Sequence, residues 1–164
     1  MTYRFTASIA CGLDTPDEAD CVMAGVAESD DEEAFSLLFM CSFDEPDAQD
    51  RRLGVDTHCV VTPDQNTAYG CIREVELDGD VLRVTLDPSS LDALGLADPV
   101  VEASLRAPAA DVARLREVLP RIVTYGRPDA RPRLIERKRA QRPSEESIPS
   151  SPGATDQLAP DIGG

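Results

Sequence analysis

The dipeptide Asp78-Gly79 stands between two stretches of alternating apolar and polar residues, at about 68–77 and 81–86. Few short signals constrain a fold as tightly. A type I′ hairpin turn needs positive φ at both central residues, and Asp followed by Gly tolerates that. The turn also sets a register. It predicts Val75 opposite Leu82 on one face and Glu74 opposite Arg83 on the other. An apolar pair inside and an ion pair outside suit a half-buried antiparallel sheet.

The same period of two recurs upstream. Tyr3, Phe5, Ala7, Ile9 and Cys11 alternate with Arg4, Thr6, Ser8 and Ala10, which predicts one strand. Residues 20–27 give a second. In the third, Phe35, Leu37, Phe39, Cys41 and Phe43 share a face while Leu38 and Met40 occupy the other, the mark of a central strand. A fourth covers about residues 57–62. A turn near Gln65 would then set Cys59 opposite Cys71, open either to a disulfide under oxidation or to apolar packing.

Helix signals come late. Asp87-Pro88 through Gly95 carries an Asp cap, Pro at the first helical position and a terminal Gly. After a seventh strand at about 100–106, residues 109–124 bury Val112, Leu115, Leu119 and Ile122 on one helical face, with Pro120 expected to kink or end the helix. The class is therefore α+β: a mainly antiparallel sheet of about seven strands, with a short helix and a longer C-terminal helix on one face.

Composition breaks near Gly126. Residues 127–164 hold six of the 13 prolines and no aromatic residue, so this stretch is expected to be a disordered tail, basic at first and then Ser/Pro/Gly-rich. The folded domain is expected to be 1–126. Charge divides at the same point: 9 basic and 25 acidic residues before it, 7 and 6 after it. The whole 164-residue chain has a net charge of -15, which disfavours a nucleic-acid binder dependent on phosphate neutralisation and favours basic partners. Of the 16 Lys and Arg residues only Lys138 is a lysine, a bias suggesting a GC-rich bacterial gene. No apolar run is long enough for a membrane-spanning helix, and the N-terminus lacks the pattern of a secretory signal. A cytoplasmic protein is the expectation.

Catalytic chemistry finds little support. The one histidine, His58, should point away from its neighbour Cys59 in a strand, so the two cannot form a dyad. Nucleophile-elbow, phosphate-loop and zinc-protease motifs are absent. The acidic runs at 14–20 and 30–33 lack the spacing and central Gly of a calcium loop. Cys11, Cys21, Cys41, Cys59 and Cys71 include no Cys-x-x-Cys pair and are expected to be free thiols. No cofactor and no metal are expected.

One stretch is more specific. Arg51-Arg52-Leu53-Gly54-Val55-Asp56-Thr57-His58-Cys59-Val60-Val61, followed by Thr67-Ala68-Tyr69-Gly70-Cys71-Ile72, resembles immunity protein family ten of bacterial polymorphic toxin systems. The Asp78-Gly79 hairpin and the Pro88 to Gly95 helix extend the resemblance over roughly residues 3–124. Departures are Val55 in place of Met, His58 in place of an aromatic residue and Cys71 in place of Gly. The resemblance implies a cytosolic, non-catalytic inhibitor that binds a cognate toxin encoded nearby. An acidic accessory or scaffold domain is the alternative. The Leu53 to Thr57 segment is read either as part of a toxin contact or as a tight turn entering a core strand, capped by Asp56 and Thr57.

If the first six strands are successive hairpins, their first, third and fifth loops share one end of the sheet. That end would collect Asp14, Asp17, Glu18, Asp20, Asp44, Glu45, Asp47, Asp50, Asp78 and Asp80 as a surface for a basic toxin. Glu28, Asp30, Asp31, Glu32, Glu33 and Asp64 would occupy the other end.

Overall fold

A computed structural model describes residues 1–137. Its strands are β1 Thr2–Ala7, β2 Ile9–Leu13, β3 Val22–Ala27, β4 Ser36–Cys41, β5 Cys59–Thr62, β6 Asn66–Tyr69, β7 Ile72–Asp78, β8 Val81–Leu86, β9 Val100–Leu105 and β10 Arg133–Arg137. The α-helices are α1 Ala48–Leu53, α2 Leu91–Leu94 and α3 Ala109–Val123. The α+β class and the dominance of sheet match the sequence reading. The strands nevertheless form two five-stranded sheets instead of one. A meander sheet runs β2-β3-β4-β5-β6, antiparallel throughout. A mixed sheet runs β1-β9-β8-β7-β10, with β1 parallel to β9 and β10 parallel to β7.

Two predicted long strands are each divided between the sheets. The first breaks at Ser8, whose hydroxyl donates to the Glu28 carbonyl at 2.5 Å. The break resets the alternation: Phe5 and Ala7 are buried before it, Ala10 and Gly12 after it. Ile9, expected on the buried face, is 37% exposed. The fifth breaks at Gly70 and Cys71, giving β6 to one sheet and β7 to the other. Cys59 consequently pairs with Tyr69 and not with Cys71, and both cysteines are free thiols.

The hairpin exists, displaced by one residue. Its turn residues are Gly79 and Asp80, with Asp78 paired to Val81. Gly79 has φ 63°, while Asp80 is not among the positive-φ residues. One positive φ at the first central position belongs to a type II′ turn, not I′. The pairs become Val75 with Val84, Leu77 with Leu82 and Glu76 with Arg83. Each residue keeps its predicted face because the partners shift by two. Neighbours hold this position: Gly79 N–H donates to the Arg137 carbonyl, and Leu105 N–H to that of Asp80.

The buried faces of both sheets and the apolar stripe of α3 form one core. Helix α3 lies on β2, β3 and β4 of the meander sheet. Gly12 permits close approach, because a Cβ there would stand 2.4 Å from the Arg114 carbonyl oxygen. Pro120 does not end α3, which continues to Val123. Proline removes one N–H donor. Leu119, Ile122 and Val123, buried around it, keep the last turn in place.

Two elements were not foreseen. Helix α1 occupies a stretch with no apolar face, and its buried residues are none. Local hydrogen bonds specify it: Asp47 and Asp50 form a reciprocal capping box, and Gly54 ends it at φ 75°. Strand β10, Arg133–Arg137, lies within the expected tail and pairs in parallel with β7 of the mixed sheet. Local composition reads low there, but β7 offers an open edge and Leu134 packs against the core. The expectation for 138–164 lies outside the described residues.

Candidate functional site

Cross-strand pairing puts side chains of paired residues on one face, so the register defines the side of the meander sheet that faces away from α3 and that no described element covers. One row is Leu13, Met23, Met40, Cys59 and Tyr69. The next is Cys11, Gly25, Leu38, Val61 and Thr67, and Ile9, Ala27 and Ser36 complete the face. None of these residues is charged. Most are half-buried, with Tyr69 47% exposed. The opposite rows, with Gly12, Ala24, Phe39 and Val60, lie beneath α3 and in the core.

The outer face of the mixed sheet is different in kind. Arg4, Glu102, Arg83 and Glu76 form a cross-strand line. Arg4 and Arg83 pair with Glu102 at 2.9 and 3.0 Å, and Arg137 pairs with Glu76. Antiparallel sheets with one solvated face normally show the polar pattern there. Thus the mixed sheet has an ordinary water-facing surface, whereas the meander sheet keeps apolar residues on both sides.

The connections β2–β3 and β4–β5 lie at the same end of the meander sheet, as successive antiparallel turns require. Asp14, Asp17, Glu18, Asp20, Asp44, Glu45, Asp47 and Asp50 therefore share that end, as expected. Asp78 and Asp80 do not. The Asp80 carbonyl accepts from Leu105 N–H, Arg106 N–H donates to the Ala7 carbonyl, and Ser8 reaches Glu28. Those links place the β7–β8 turn toward the β3–β4 loop, the opposite end. The successive-hairpin premise failed because β1 and β2 belong to different sheets.

Several of the acids are engaged within the chain. Arg114 bonds Asp14 at 2.8 Å and lies 3.6 Å from Glu18, and it holds the Asp14 carboxyl below the usual range. Asp47 and Asp50 cap α1. Asp80 pairs with Arg106 at 2.7 Å. Asp44 uses its carbonyl to accept from the Tyr125 hydroxyl at 2.8 Å. Among the described residues, Asp17, Asp20 and Glu45 make no ion pair, and all three are exposed.

A cleft of about 310 Å³ opens where this end meets the uncharged face. Met40, Cys59 and Tyr69 line it from the sheet, Asp20 from the β2–β3 connection, Asp50 from α1, and Tyr125 from beyond α3. Burial raises the Cys59 thiol and the Tyr69 and Tyr125 phenols, and pushes Cys41 up to about 11. Those groups are neutral at neutral pH. Among the described residues, Asp20 and Asp50 are the charged ones of its lining.

A chemical centre is harder to assemble. His58 is fully buried, its Nε2 accepts from Ile72 N–H at 3.0 Å, and its Nδ1 has no partner among the described residues. Burial lowers its pKa to about 4, so the ring is neutral. Cys59 stands on the outer face, away from that ring. Among the described residues no three His, Cys, Asp or Glu are arranged to hold a metal ion. No helix there is long and apolar enough to cross a membrane.

The Leu53 to Thr57 segment proves to be a structural seam. Leu53 and Gly54 end α1; Asp56 and Thr57 are buried. Arg127 Nε lies 3.4 Å from Asp56 Oδ1, and Arg127 N–H donates to the Asp56 carbonyl. A family sequence model described as Immunity protein 10 matches residues 6–113, which include this seam, the meander sheet and the start of α3. The chain belongs to the Immunity protein 10 family. Comparison with curated proteins and with solved structures finds no match. The family match covers the acidic loops and the uncharged face, and ends before the Arg127 contact.

The uncharged face was the feature missed from the sequence. Its signal was present: Leu38 and Met40 gave the third strand a second apolar face. That pattern marks a central strand, and β4 is indeed the middle strand of the meander sheet. A central place does not require both faces to be covered, and Met40 is only half-buried because α3 lies on the other side.

Proposed function

We propose that this chain is a cytosolic immunity protein that binds a cognate protein toxin and neutralises it without catalysis. Family membership supplies the class. The observation that carries the reading is the uncharged, apolar outer face in a chain of net charge -15. A contiguous apolar surface bordered by charge is the ordinary signature of a protein-protein contact. The carboxylates of the β2–β3 and β4–β5 connections add a negative field beside it. Such a field speeds encounter with a basic partner and discriminates against acidic ones.

The toxin is expected to be basic and encoded beside this gene. The test is growth rescue: the neighbouring toxin-like reading frame is induced with and without this chain. Rescue with formation of an isolable complex supports the reading. Continued growth arrest, despite soluble expression of both proteins, contradicts it.

A further inference from the structure

Building on that reading, we infer that the outer face of the meander sheet is the docking surface for an apolar patch on the toxin, and that the cleft beside it is the socket for one arginine or lysine side chain of that patch. The uncharged rows have room for apolar contact, with Met23 and Met40 at their centre. Methionine side chains adapt to irregular partners because their torsions are soft. Asp20 and Asp50 enter the lining from the acidic end, from the β2–β3 connection and α1. Met40, Cys59 and Tyr69 enter it from one row of the sheet, so acidic and mainly apolar residues come to the socket from different elements.

That asymmetry matches a long basic side chain. Its methylene stem can lie along Met40 and the Tyr69 ring while its cationic head reaches Asp20 and Asp50. A volume of about 310 Å³ holds one such side chain but not a folded element. Charge excludes the other sign: an acidic side chain would meet two carboxylates and no cation among the described lining residues. Asp50 is fixed by the α1 capping box, which orients one wall in advance. Asp20 makes no ion pair within the described residues and is free to take the head group.

The face has an internal reporter. The chain has three methionines. Met23 and Met40 lie on the face, while Met1 is 93% exposed and serves as reference. Methyl NMR of the full chain is recorded first with N-acetyl-arginine amide, then with its neutral isostere N-acetyl-citrulline amide. The Met40 methyl should shift with the arginine compound and not with citrulline. Asp20→Asn should weaken that response about fivefold. Equal responses to the two compounds, or no response, overturn the socket.

The toxin domain encoded by the neighbouring gene is the second probe. Binding should shift both Met23 and Met40 and leave Met1 unchanged. Tyr69→Ala on exposed β6 should weaken binding at least about tenfold, whereas Thr6→Glu on the mixed sheet should not. Circular dichroism melting of each variant separates lost binding from lost folding. A toxin complex with unmoved Met23 and Met40 methyls overturns the docking surface and leaves the immunity reading intact. An arginine-specific Met40 response without toxin binding supports the socket and counts against the immunity reading.

Discussion

Arg127 and Asp56 close the fold across the end of α3: the guanidinium Nε stands 3.4 Å from a carboxylate oxygen whose side chain is 3% exposed. A buried acid without its cation suffers the desolvation cost with no compensation. Arg127→Ala should therefore destabilise the protein by about 2 kcal/mol or more. Urea denaturation checks this, and an unchanged midpoint would show that Asp56 is satisfied by its surroundings.

Strand β10 gives a second expectation. Truncation after Gly126 removes both the Arg127 contact and the strand paired to β7. Truncation after Arg137 keeps them. The first should lower the melting temperature by several degrees and the second should leave it nearly unchanged. Equal melting of the two truncated chains would mean that β10 adds nothing to stability.

Gly79 is the turn residue to test. At φ 63° a β-branched side chain is strained, and Gly79→Val should cost about 1 kcal/mol or more. Replacing Asp80, whose φ is not positive, with Asn should cost less even though it weakens the pair to Arg106. Thermal melts of the two variants give the comparison; the reverse order would contradict a type II′ turn.

Acid should weaken the fold through His58. Its folded pKa is lowered to about 4, so between the ordinary 6.5 and that value the unfolded chain binds more protons. Stability from this group is complete above about pH 6.5 and falls progressively toward pH 4, by up to about 3 kcal/mol. Below pH 4 both states are protonated and the loss levels off. Denaturation at a series of pH values should show this slope in the native chain and not in His58→Gln.

The proposed steering by the acidic end can be tested apart from stability. Asp14 and Asp47 hold Arg114 and α1, so reversing them would disturb the fold. Asp17, Asp44 and Glu45 make no side-chain ion pair within the described residues. Changing those three to Lys should slow association with the neighbouring toxin about tenfold at low salt and flatten its salt dependence. Stopped-flow mixing measures this. Association unaltered at every salt concentration would remove the acidic end from the encounter.

Local chemistry made much of this fold legible. Strands β4, β8 and β9 and both late helices followed from alternation, capping residues and helical spacing, because each signal lies within its own element. What the sequence concealed depends on distant partners. Ser8 turns a single alternating run into two strands only through Glu28 and β9. Arg133 to Arg137 becomes a strand only beside β7. For the site, the acids of two loops were placed together correctly, since an antiparallel meander fixes that end. Asp78 and Asp80 were misplaced once the first strand divided. The uncharged face escaped notice because apolar residues on both sides of a strand do not reveal how many sides are covered.

The contrast between the two sheets bears on how this protein lives in a crowded solution. A bare apolar face invites contact with a second copy, and two such faces are self-complementary. The acidic excess works against that at distances where no atoms touch, because each copy repels the next before their faces can meet. This protection is long-range and therefore fades as added salt shortens the Debye length toward a few ångströms. The carboxylates thus act as a colloidal shield between copies of the chain, keeping their apolar faces apart at low ionic strength.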